Sequence, residues 1–159
     1  MAVAALMKTI YCHAIVYFTL FGVLLLGSGI WLWGLKAGFT VEQLQQYYCG
    51  NDLLFMQAKS TQGVLEVALP HALGMGLFMM VTAHFMLFVP QRHRRQIIRL
   101  IAVWLVSALV SITAPFGIVY GWSGLTEAKL VALVVFQILG FYLLWRVFQA
   151  AFTDRRESF

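Results

Sequence analysis

The chain is poor in charge, and above all in acidic residues. Charged residues make up only 11% of the sequence, and Asp and Glu together number six. Apolar residues account for 62%. This composition leaves too little polar surface to solubilise a chain of 159 residues, so it excludes a water-soluble globular domain.

The acidic residues are absent from four long apolar runs. These runs extend over Ile10 to Leu35, Val67 to Val89, Ile97 to Tyr120 and Leu130 to Phe152. A hydrocarbon core about 30 Å thick needs about 20 residues of helix to span it, and each run is long enough. The sequence therefore predicts an all-α fold, in which residues 1–159 form one integral membrane bundle of four transmembrane helices.

Lys and Arg are divided unequally between the two sides that these helices define. Eight of the eleven basic residues lie on the side of the chain termini: Lys8, Arg92, Arg94, Arg95, Arg99, Arg146, Arg155 and Arg156. The opposite side has Lys36, Lys59 and Lys129. Because basic residues concentrate in cytoplasmic loops, we expect the N and C termini to be cytoplasmic and the connection over residues 36–66 to face outward. The predicted location is the bacterial inner membrane.

The net charge of +5 does not indicate a nucleic-acid ligand. Membrane topology and the anionic headgroups of lipids account for it, and no soluble basic face with interleaved aromatic residues exists to follow a phosphate backbone. The expected partners are the lipid bilayer and other membrane or periplasmic protein subunits.

Cysteine is also scarce. Cys12 lies near the predicted cytoplasmic end of the first helix and Cys49 in the outward connection. A membrane between them excludes an intramolecular disulfide. The sequence has no CxxCH motif, which excludes a covalent c-type haem.

The outward connection has the signature of a short surface helix. Thr40 can cap a helix, Gln43 follows three residues later, and apolar residues recur at helical spacing up to Tyr48. The run Cys49-Gly50-Asn51-Asp52 has the composition of a turn. We expect the apolar segment that begins at Leu53 to enter the membrane interface or to pack on the bundle end. A structural cap over the helix ends is favoured over a substrate-binding lid.

Several residue types predict packing features of a membrane bundle. Four aromatic residues are expected to form an outer belt: Trp31, Trp33, Tyr120 and Trp122. Six glycines are expected to allow close approach between helices: Gly22, Gly27, Gly29, Gly74, Gly76 and Gly140. Pro115 should kink or end the third helix. Gln137 should face the bundle, where Ser107 or Ser111 could satisfy its amide.

Two histidines lie at similar depth in neighbouring helices. His13 is close to the cytoplasmic boundary of the first helix, and His84 is close to that of the second. Two imidazoles on adjacent antiparallel helices at one depth could ligate a b-type haem. Arg94 and Arg95, on the same side, could hold the haem propionates, as could Arg92. Simple interhelical hydrogen bonding is the alternative.

His71 follows Pro70 at the predicted outer start of the second helix and does not share a helix face with His84. A pair of His71 with Glu66 would suit acceptance of protons from a quinol, so quinone is a second predicted ligand. A solvated interfacial histidine is the alternative.

Methionine offers a third hypothesis. His71, Met75 and Met79 recur every four residues along one helical stripe, and Met80 with His84 repeats the spacing. Such a ladder of thioethers and imidazoles could bind Cu(I). Methionine is also an ordinary filler of apolar contacts, and this interpretation is favoured.

One part of the chain resembles a group of small proteobacterial four-helix inner-membrane proteins of uncharacterised role. The resemblance is carried over residues 45–90 by Tyr47-Tyr48-Cys49-Gly50-Asn51-Asp52, Lys59, Gly63-Val64-Leu65-Glu66, Pro70-His71 and His84-Phe85-Met86-Leu87-Phe88. It implies a four-helix inner-membrane protein. In that group a histidine pair opens the second helix, whereas this chain has Leu69 at the first position of the pair.

Two classes of function follow. In the first, the chain is a small redox subunit that binds haem b and passes electrons between the quinone pool and a partner. In the second, it is a non-catalytic subunit that anchors or stabilises a larger membrane complex. The sequence has no Ser-His-acid or paired-carboxylate arrangement, so an enzymatic role would depend on a cofactor.

Overall fold

The computed structural model describes residues 2–88 and 94–153. These residues form five α-helices and no β-strand: α1 (Ala2–Lys36), α2 (Val41–Cys49), α3 (Thr61–Phe85), α4 (Arg94–Val119) and α5 (Leu125–Thr153). Two 3₁₀ turns lie at Asp52–Leu54 and Met86–Phe88. The helices α1, α3, α4 and α5 are each long and apolar enough to cross a membrane. The predicted all-α bundle with four transmembrane helices is confirmed.

The helices start earlier than the apolar runs predict. The helix α3 begins at Thr61, because the hydroxyl of Ser60 caps it by accepting a hydrogen bond from the Gly63 N–H at 3.1 Å. The prediction that Pro70 lies at the outer start of this helix is therefore wrong, since Pro70 lies inside α3. Pro115 likewise lies inside α4, which continues to Val119.

The helices α1 and α5 approach closely and run in opposite directions. A Cβ atom at Gly22 would lie 2.8 Å from Leu144 Cδ1, and one at Gly140 would lie 3.0 Å from Leu26 Cδ1. A larger side chain at either glycine would require the leucine that faces it to move. The predicted packing role is confirmed for Gly22 and Gly140.

Three other glycines do not have this packing role within the described chain. A Cβ atom at Gly27, Gly74 or Gly76 would meet no described atom within 4 Å. Gly29 is intermediate, because its Cβ would make ordinary contact with Gln137 Nε2 at 3.7 Å. Small residues permit close approach, but no other described helix packs against Gly27, Gly74 or Gly76.

Gln137 faces the bundle as predicted, although its expected partner is wrong. The amide lies against α1, and its Oε1 is buried without a hydrogen-bond partner among the described residues. Ser107 is not available to it, because its hydroxyl donates to the Trp104 carbonyl in its own helix at 2.7 Å.

The apolar core centres on Trp104 of α4, which is fully buried. Its indole Nε1 donates to the Phe136 carbonyl of α5 at 3.0 Å. Its ring stacks on Phe136 with centroids 5.6 Å apart and meets Phe78 of α3 edge-on at 5.8 Å. One side chain thus joins three helices, with its polar N–H satisfied as a buried indole requires.

The helices α1 and α3 meet through aromatic rings. Phe18 of α1 packs on Phe85 and on Phe78, with centroids 5.0 Å and 5.7 Å away, and Tyr11 meets Phe85 at 6.0 Å. All these contacts lie in the half of α1 nearer its N-terminus. They define the end of the bundle where α3 ends and α4 begins.

The predicted surface helix is present as α2. Thr40 Oγ1 accepts from the Gln43 N–H at 3.2 Å, and Gln43 Oε1 accepts from the Thr40 N–H at 3.3 Å, which completes a capping box. Leu44 and Tyr48 are buried as α2 packs across the ends of α4 and α5. The predicted structural cap is confirmed, and we call this end of the bundle the cap end.

Cys12 and Cys49 are not joined by a disulfide, in agreement with the predicted separation of the two residues. Cys12 is buried in the bundle, and Cys49 is exposed at the cap end. The two residues lie at opposite ends of the molecule, so they form no disulfide.

The orientation of the bundle is a prediction from the basic residues, and Cys49 offers a test of it. A membrane-impermeant maleimide added to intact cells should label Cys49, because the residue is exposed at the end predicted to face outward. Mass spectrometry of the purified protein measures the label.

Cys12 is a poor control for this experiment because it is buried on whichever side it lies. The matched control is the Arg95→Cys variant in a Cys12→Ala, Cys49→Ala background, since Arg95 is exposed at the opposite end. It should react only after the cells are permeabilised. Reaction of this variant in intact cells, with Cys49 protected, would reverse the orientation.

Candidate functional site

The cap end contains a buried lysine that the sequence analysis did not single out. Lys129 of α5 is only 4% exposed. The contacts of its Nζ are a backbone carbonyl and two aromatic rings, with no carboxylate among the described residues. Burial of an ammonium without compensation costs several kcal/mol, so these groups must take the place of a counter-charge.

The carbonyl that contacts Lys129 is made available by a proline. In an uninterrupted helix the Ser111 carbonyl would accept from the N–H of residue 115, but Pro115 has no N–H. Lys129 Nζ instead donates to the Ser111 carbonyl at 2.6 Å. The helix α4 ends shortly afterwards at Val119, and the negative end of its dipole also favours a cation there.

Two aromatic rings complete the surroundings of this cation. The Trp33 ring of α1 has its centroid 5.0 Å from Nζ, and the Tyr48 ring of α2 has its centroid 5.8 Å away. Each such contact contributes about 0.5–2 kcal/mol. Burial raises the pKa of Tyr48 above its ordinary value, and the neighbouring Tyr47 adds to the rise, so this ring stays a neutral phenol. Lys129 thereby connects four helices.

An apolar cluster surrounds the lysine and closes the cap end. Its buried members are Ala37, Leu44, Tyr48, Val64 and Ile118, with Trp33 packed against them. The prediction that Trp33 belongs to the surface belt is wrong, because its ring faces Lys129 and its Nε1 is buried. The other three belt residues are exposed: Trp31, Tyr120 and Trp122.

A second lysine extends the arrangement to the surface. Lys59 Nζ lies 4.8 Å from the centroid of the Tyr47 ring, and Tyr47 meets Tyr48 edge-on at 5.0 Å. The backbone N–H of Lys59 donates to the Tyr48 carbonyl at 2.8 Å. The chain entering α3 is therefore attached to the same tyrosine that covers Lys129.

Sequence signals for this site existed. Pro115 inside an apolar run indicates a free helix carbonyl, and Lys129 begins the next apolar run after a short turn. The sequence analysis treated Lys129 only as one of three basic residues on the outward side. The contact with Tyr48 has no local signal, because it depends on how α2 folds back over the bundle.

The predicted haem ligands both lie on exposed surfaces. His13 Nδ1 is hydrogen-bonded to the Thr9 carbonyl at 2.7 Å, and the side chain of His84 is exposed. Arg94 and Arg95 are exposed at the start of α4. Arg92 lies outside the described residues. Haem ligation by this pair stays a prediction.

The structure does not bring Glu66 and His71 together. Glu66 Oε1 accepts from Gln62 Nε2 at 3.1 Å, whereas His71 Nδ1 is hydrogen-bonded to the Val67 carbonyl at 2.8 Å. Each side chain thus has a partner in its own stretch of α3. Proton transfer from a quinol at these residues stays a prediction.

The methionines of the predicted copper ladder differ in environment. Met79 is buried in the core, and Met75 packs against that core. Met80 and His71 are exposed. Within residues 2–88 and 94–153, no group of three or more His, Cys, Asp or Glu residues could hold a metal ion. The contacts of Met79 are those of an apolar filler, and the copper site stays a prediction.

The least covered part of the bundle is in α3. No residue between Leu65 and Leu77 is buried, and only Met75 packs against the core, so about 20 Å of helix is largely exposed in the part of the chain that the structure describes. The buried residues of α3 lie on either side of this stretch: Val64, Phe78, Met79 and Thr82. We call Leu65–Leu77 the open segment of α3.

Comparison with known proteins agrees with this architecture. The chain belongs to the Aq_1264_TM family of transmembrane helical domains, whose model matches residues 38–158. The matched part contains α2 to α5 and, with them, Tyr48, Ser111, Pro115 and Lys129. No curated protein and no solved structure matches the chain. The protein is therefore a multi-pass membrane protein, and a finer function has to be argued from its geometry.

The Lys129 contacts predict a measurable energetic coupling with Pro115. Lys129→Met keeps the volume of the side chain but leaves the Ser111 carbonyl buried and unpaired, so it should destabilise the protein by about 1–3 kcal/mol. In this background Pro115→Ala should restore stability, because the new N–H can bond to the Ser111 carbonyl. Unfolding in mixed detergent micelles measures both effects.

The control for this cycle is Lys36→Met, which changes an exposed lysine and should alter stability by about 0.5 kcal/mol or less. The stability of the double variant Lys129→Met, Pro115→Ala tests whether both residues act on the Ser111 carbonyl. Strictly additive effects of the Lys129 and Pro115 substitutions would contradict the assignment of Ser111 as the shared acceptor.

Proposed function

We propose that the protein is a non-catalytic accessory subunit, and that the open segment of α3 packs against a transmembrane helix of a larger membrane complex. The observation that carries this proposal is the exposure of that segment. A helix of a four-helix bundle ordinarily buries one stripe along its length. The open segment has no buried stripe, although α4 has buried residues from Ile97 to Ile118.

The shape of the open segment supports helix packing. Leu69, Leu73 and Leu77 are 56%, 77% and 61% exposed, and nothing in the described chain lies near the Cβ positions of Gly74 and Gly76. Membrane helices associate through van der Waals contact at small residues, where backbones can come close together.

The polar groups of the open segment also favour a protein neighbour over lipid. Pro70 removes the N–H that would bond to the Glu66 carbonyl, and His71 exposes an imidazole within the same membrane-spanning helix. Backbone carbonyls and imidazoles without partners are unfavourable in hydrocarbon. Because Nδ1 of His71 is already bonded to the Val67 carbonyl, its Nε2 is left to bond with a partner.

Site-specific photo-crosslinking tests this proposal. A photoreactive amino acid at Leu73 should form a protein adduct in native membranes, because this position lies on the open segment. The matched position is Leu109 of α4, which is 62% exposed and should form lipid adducts only. Gel mobility and mass spectrometry separate the two kinds of adduct.

A pair of glycine variants sharpens the experiment. Gly74→Leu should abolish the Leu73 protein adduct by blocking the approach of a helix, without disturbing the monomer, since its Cβ meets nothing within 4 Å. Gly27→Leu on α1 has the same free space and should leave the adduct intact. Protein adducts that are equal at Leu73 and Leu109, or insensitive to Gly74→Leu, would contradict the proposal.

A second candidate is the redox subunit that binds haem b and exchanges electrons with the quinone pool. The supporting observation is at His13, where the hydrogen bond from Nδ1 to the Thr9 carbonyl is the kind that orients a metal-ligating imidazole. Such a bond leaves Nε2 free to ligate iron. A haem held in this way would lie near the arginines at the start of α4.

A reduced-minus-oxidised spectrum of the purified protein tests this candidate. If His13 and His84 ligate haem b, His13→Ala and His84→Ala should each lose the low-spin b-type signal or convert it to high spin. His71→Ala is the control and should keep the signal. A b-type signal that persists in both ligand variants, or no signal in the purified protein, would exclude this pair as haem ligands.

A further inference from the structure

Beyond α2 the chain forms a small closed hairpin at the cap end, which we call the finger and define as Asn51–Met56. The Asn51 N–H donates to the Met56 carbonyl at 2.9 Å, and the Met56 N–H donates to the Asn51 carbonyl at 3.0 Å. Inside the hairpin the side chain of Asn51 accepts from the Leu53 N–H at 2.9 Å. These bonds give the tip a defined backbone conformation.

The base of the finger is attached to the buried cap. Gly50 has φ of 82°, and a Cβ atom there would lie 2.7 Å from the Ala58 nitrogen, so the two sides of the hairpin cross too closely for any larger residue. The Lys59 N–H then bonds to the carbonyl of Tyr48, whose side chain is buried over Lys129. The finger is therefore held in a fixed position on the bundle.

The tip presents apolar side chains that the rest of the chain does not cover. Leu53 is 90% exposed, Phe55 is 95% exposed and Leu54 is 58% exposed. Of the two positions expected for this segment, packing on the bundle end is wrong, and entry into the membrane interface stays a prediction. Phe55 also has a left-handed backbone with φ of 54°, a conformation that costs a non-glycine residue about 1–2 kcal/mol. The closed hairpin maintains this strain, and its result is a fully projected phenyl ring.

We propose that the finger is a docking element for a protein on the cap-end side of the membrane, which receives Phe55 and Leu53 in an apolar pocket and places a basic side chain opposite Asp52. This inference rests on the proposed accessory function and adds a second surface to it. The open segment of α3 contacts a partner within the membrane, whereas the finger contacts a folded surface outside it.

The charge of the finger favours a protein, and not the lipid surface, as its binding partner. The finger contains one charged side chain, the carboxylate of Asp52, and no Trp, and the nearby Lys59 at its base has its ammonium over the Tyr47 ring at 4.8 Å. Segments that insert into the membrane interface combine apolar side chains with basic residues or Trp, and anionic headgroups repel a carboxylate. A basic group beside an apolar pocket complements the same carboxylate.

The rigidity of the finger also favours a folded protein over lipid as its binding partner. Lipid has no fixed shape, so insertion into it gains nothing from a strained backbone or from fixed relative positions of Leu53 and Phe55. A folded pocket does gain, because an element that is already ordered loses less conformational entropy when it binds. Exposed aromatic anchors with adjacent charges are typical of the residues that dominate protein interfaces.

The first arm of the test asks whether the finger enters lipid. A bimane dye is attached to the Phe55→Cys variant of the full chain, in a Cys12→Ala, Cys49→Ala background. The protein is reconstituted in vesicles of phosphatidylethanolamine and phosphatidylglycerol that contain a spin-labelled lipid quencher. We expect the dye at position 55 to remain unquenched, as at the exposed loop position Gln57, and unlike the dye at Trp31 of the belt. Quenching at 55 equal to that at 31 would overturn the proposal.

The second arm uses native membranes. A photoreactive amino acid at position 55 should form a protein adduct whose yield falls about tenfold with Asp52→Lys, because that change turns an attractive charge pair into a repulsive one. Glu42→Lys reverses an exposed charge on α2 and should leave the yield unchanged. An adduct with lipid alone, with a second copy of this chain, or with a yield that Asp52→Lys does not change would overturn the docking proposal.

The adducts at Leu73 and at position 55 separate this inference from the proposed function. A protein adduct at Leu73 without an Asp52-dependent adduct at 55 overturns the finger proposal and leaves the accessory function standing. Absence of both adducts overturns both proposals.

Discussion

The cap end depends on the hydrogen bond from Lys129 to the Ser111 carbonyl. A buried ammonium is tolerated only where other groups offset its lost hydration, and here one acceptor and two ring faces come from three different helices. Any displacement of these helices would expose the cation to an apolar environment without compensation. The charge therefore fixes their relative positions more strictly than apolar contact alone, because apolar surfaces can slide with little loss.

Between α4 and α5 the membrane-spanning part is held by specific contacts rather than by general apolarity. Lipid is as apolar as leucine, so helices in a bilayer gain from close packing and internal hydrogen bonds and not from escape from water. The indole of Trp104 bonded to the Phe136 carbonyl is a contact of this kind. In the open segment of α3 only Met75 packs against the core of the described chain, and no residue there is fully buried, so most of its length stays exposed.

The sequence was sufficient for features that depend on local pattern. Apolar runs predicted four spans, and Thr40 with Gln43 predicted the capping box of α2, because both signals are contained within a few helical turns. Glycine was informative only in part. A small residue shows that a backbone can be approached. Only the three-dimensional arrangement shows that α5 approaches Gly22, whereas none of the described residues approaches Gly74. The buried site of Lys129 was not predicted for the same reason, since its ring contacts with Trp33 and Tyr48 join residues that are distant in sequence.

Tyr48 connects the buried cation to the exposed surfaces. Its ring covers Lys129, and its carbonyl accepts the Lys59 N–H at the point where the chain leaves the finger and enters α3. The finger and the open segment of α3 are close in sequence, and the chain between them is attached to the bundle at Tyr48. A partner that spans the membrane beside α3 and has a folded part on the same side could contact both. The contacts of Lys129 with Ser111, Trp33 and Tyr48 fix the cap end, from which the finger projects.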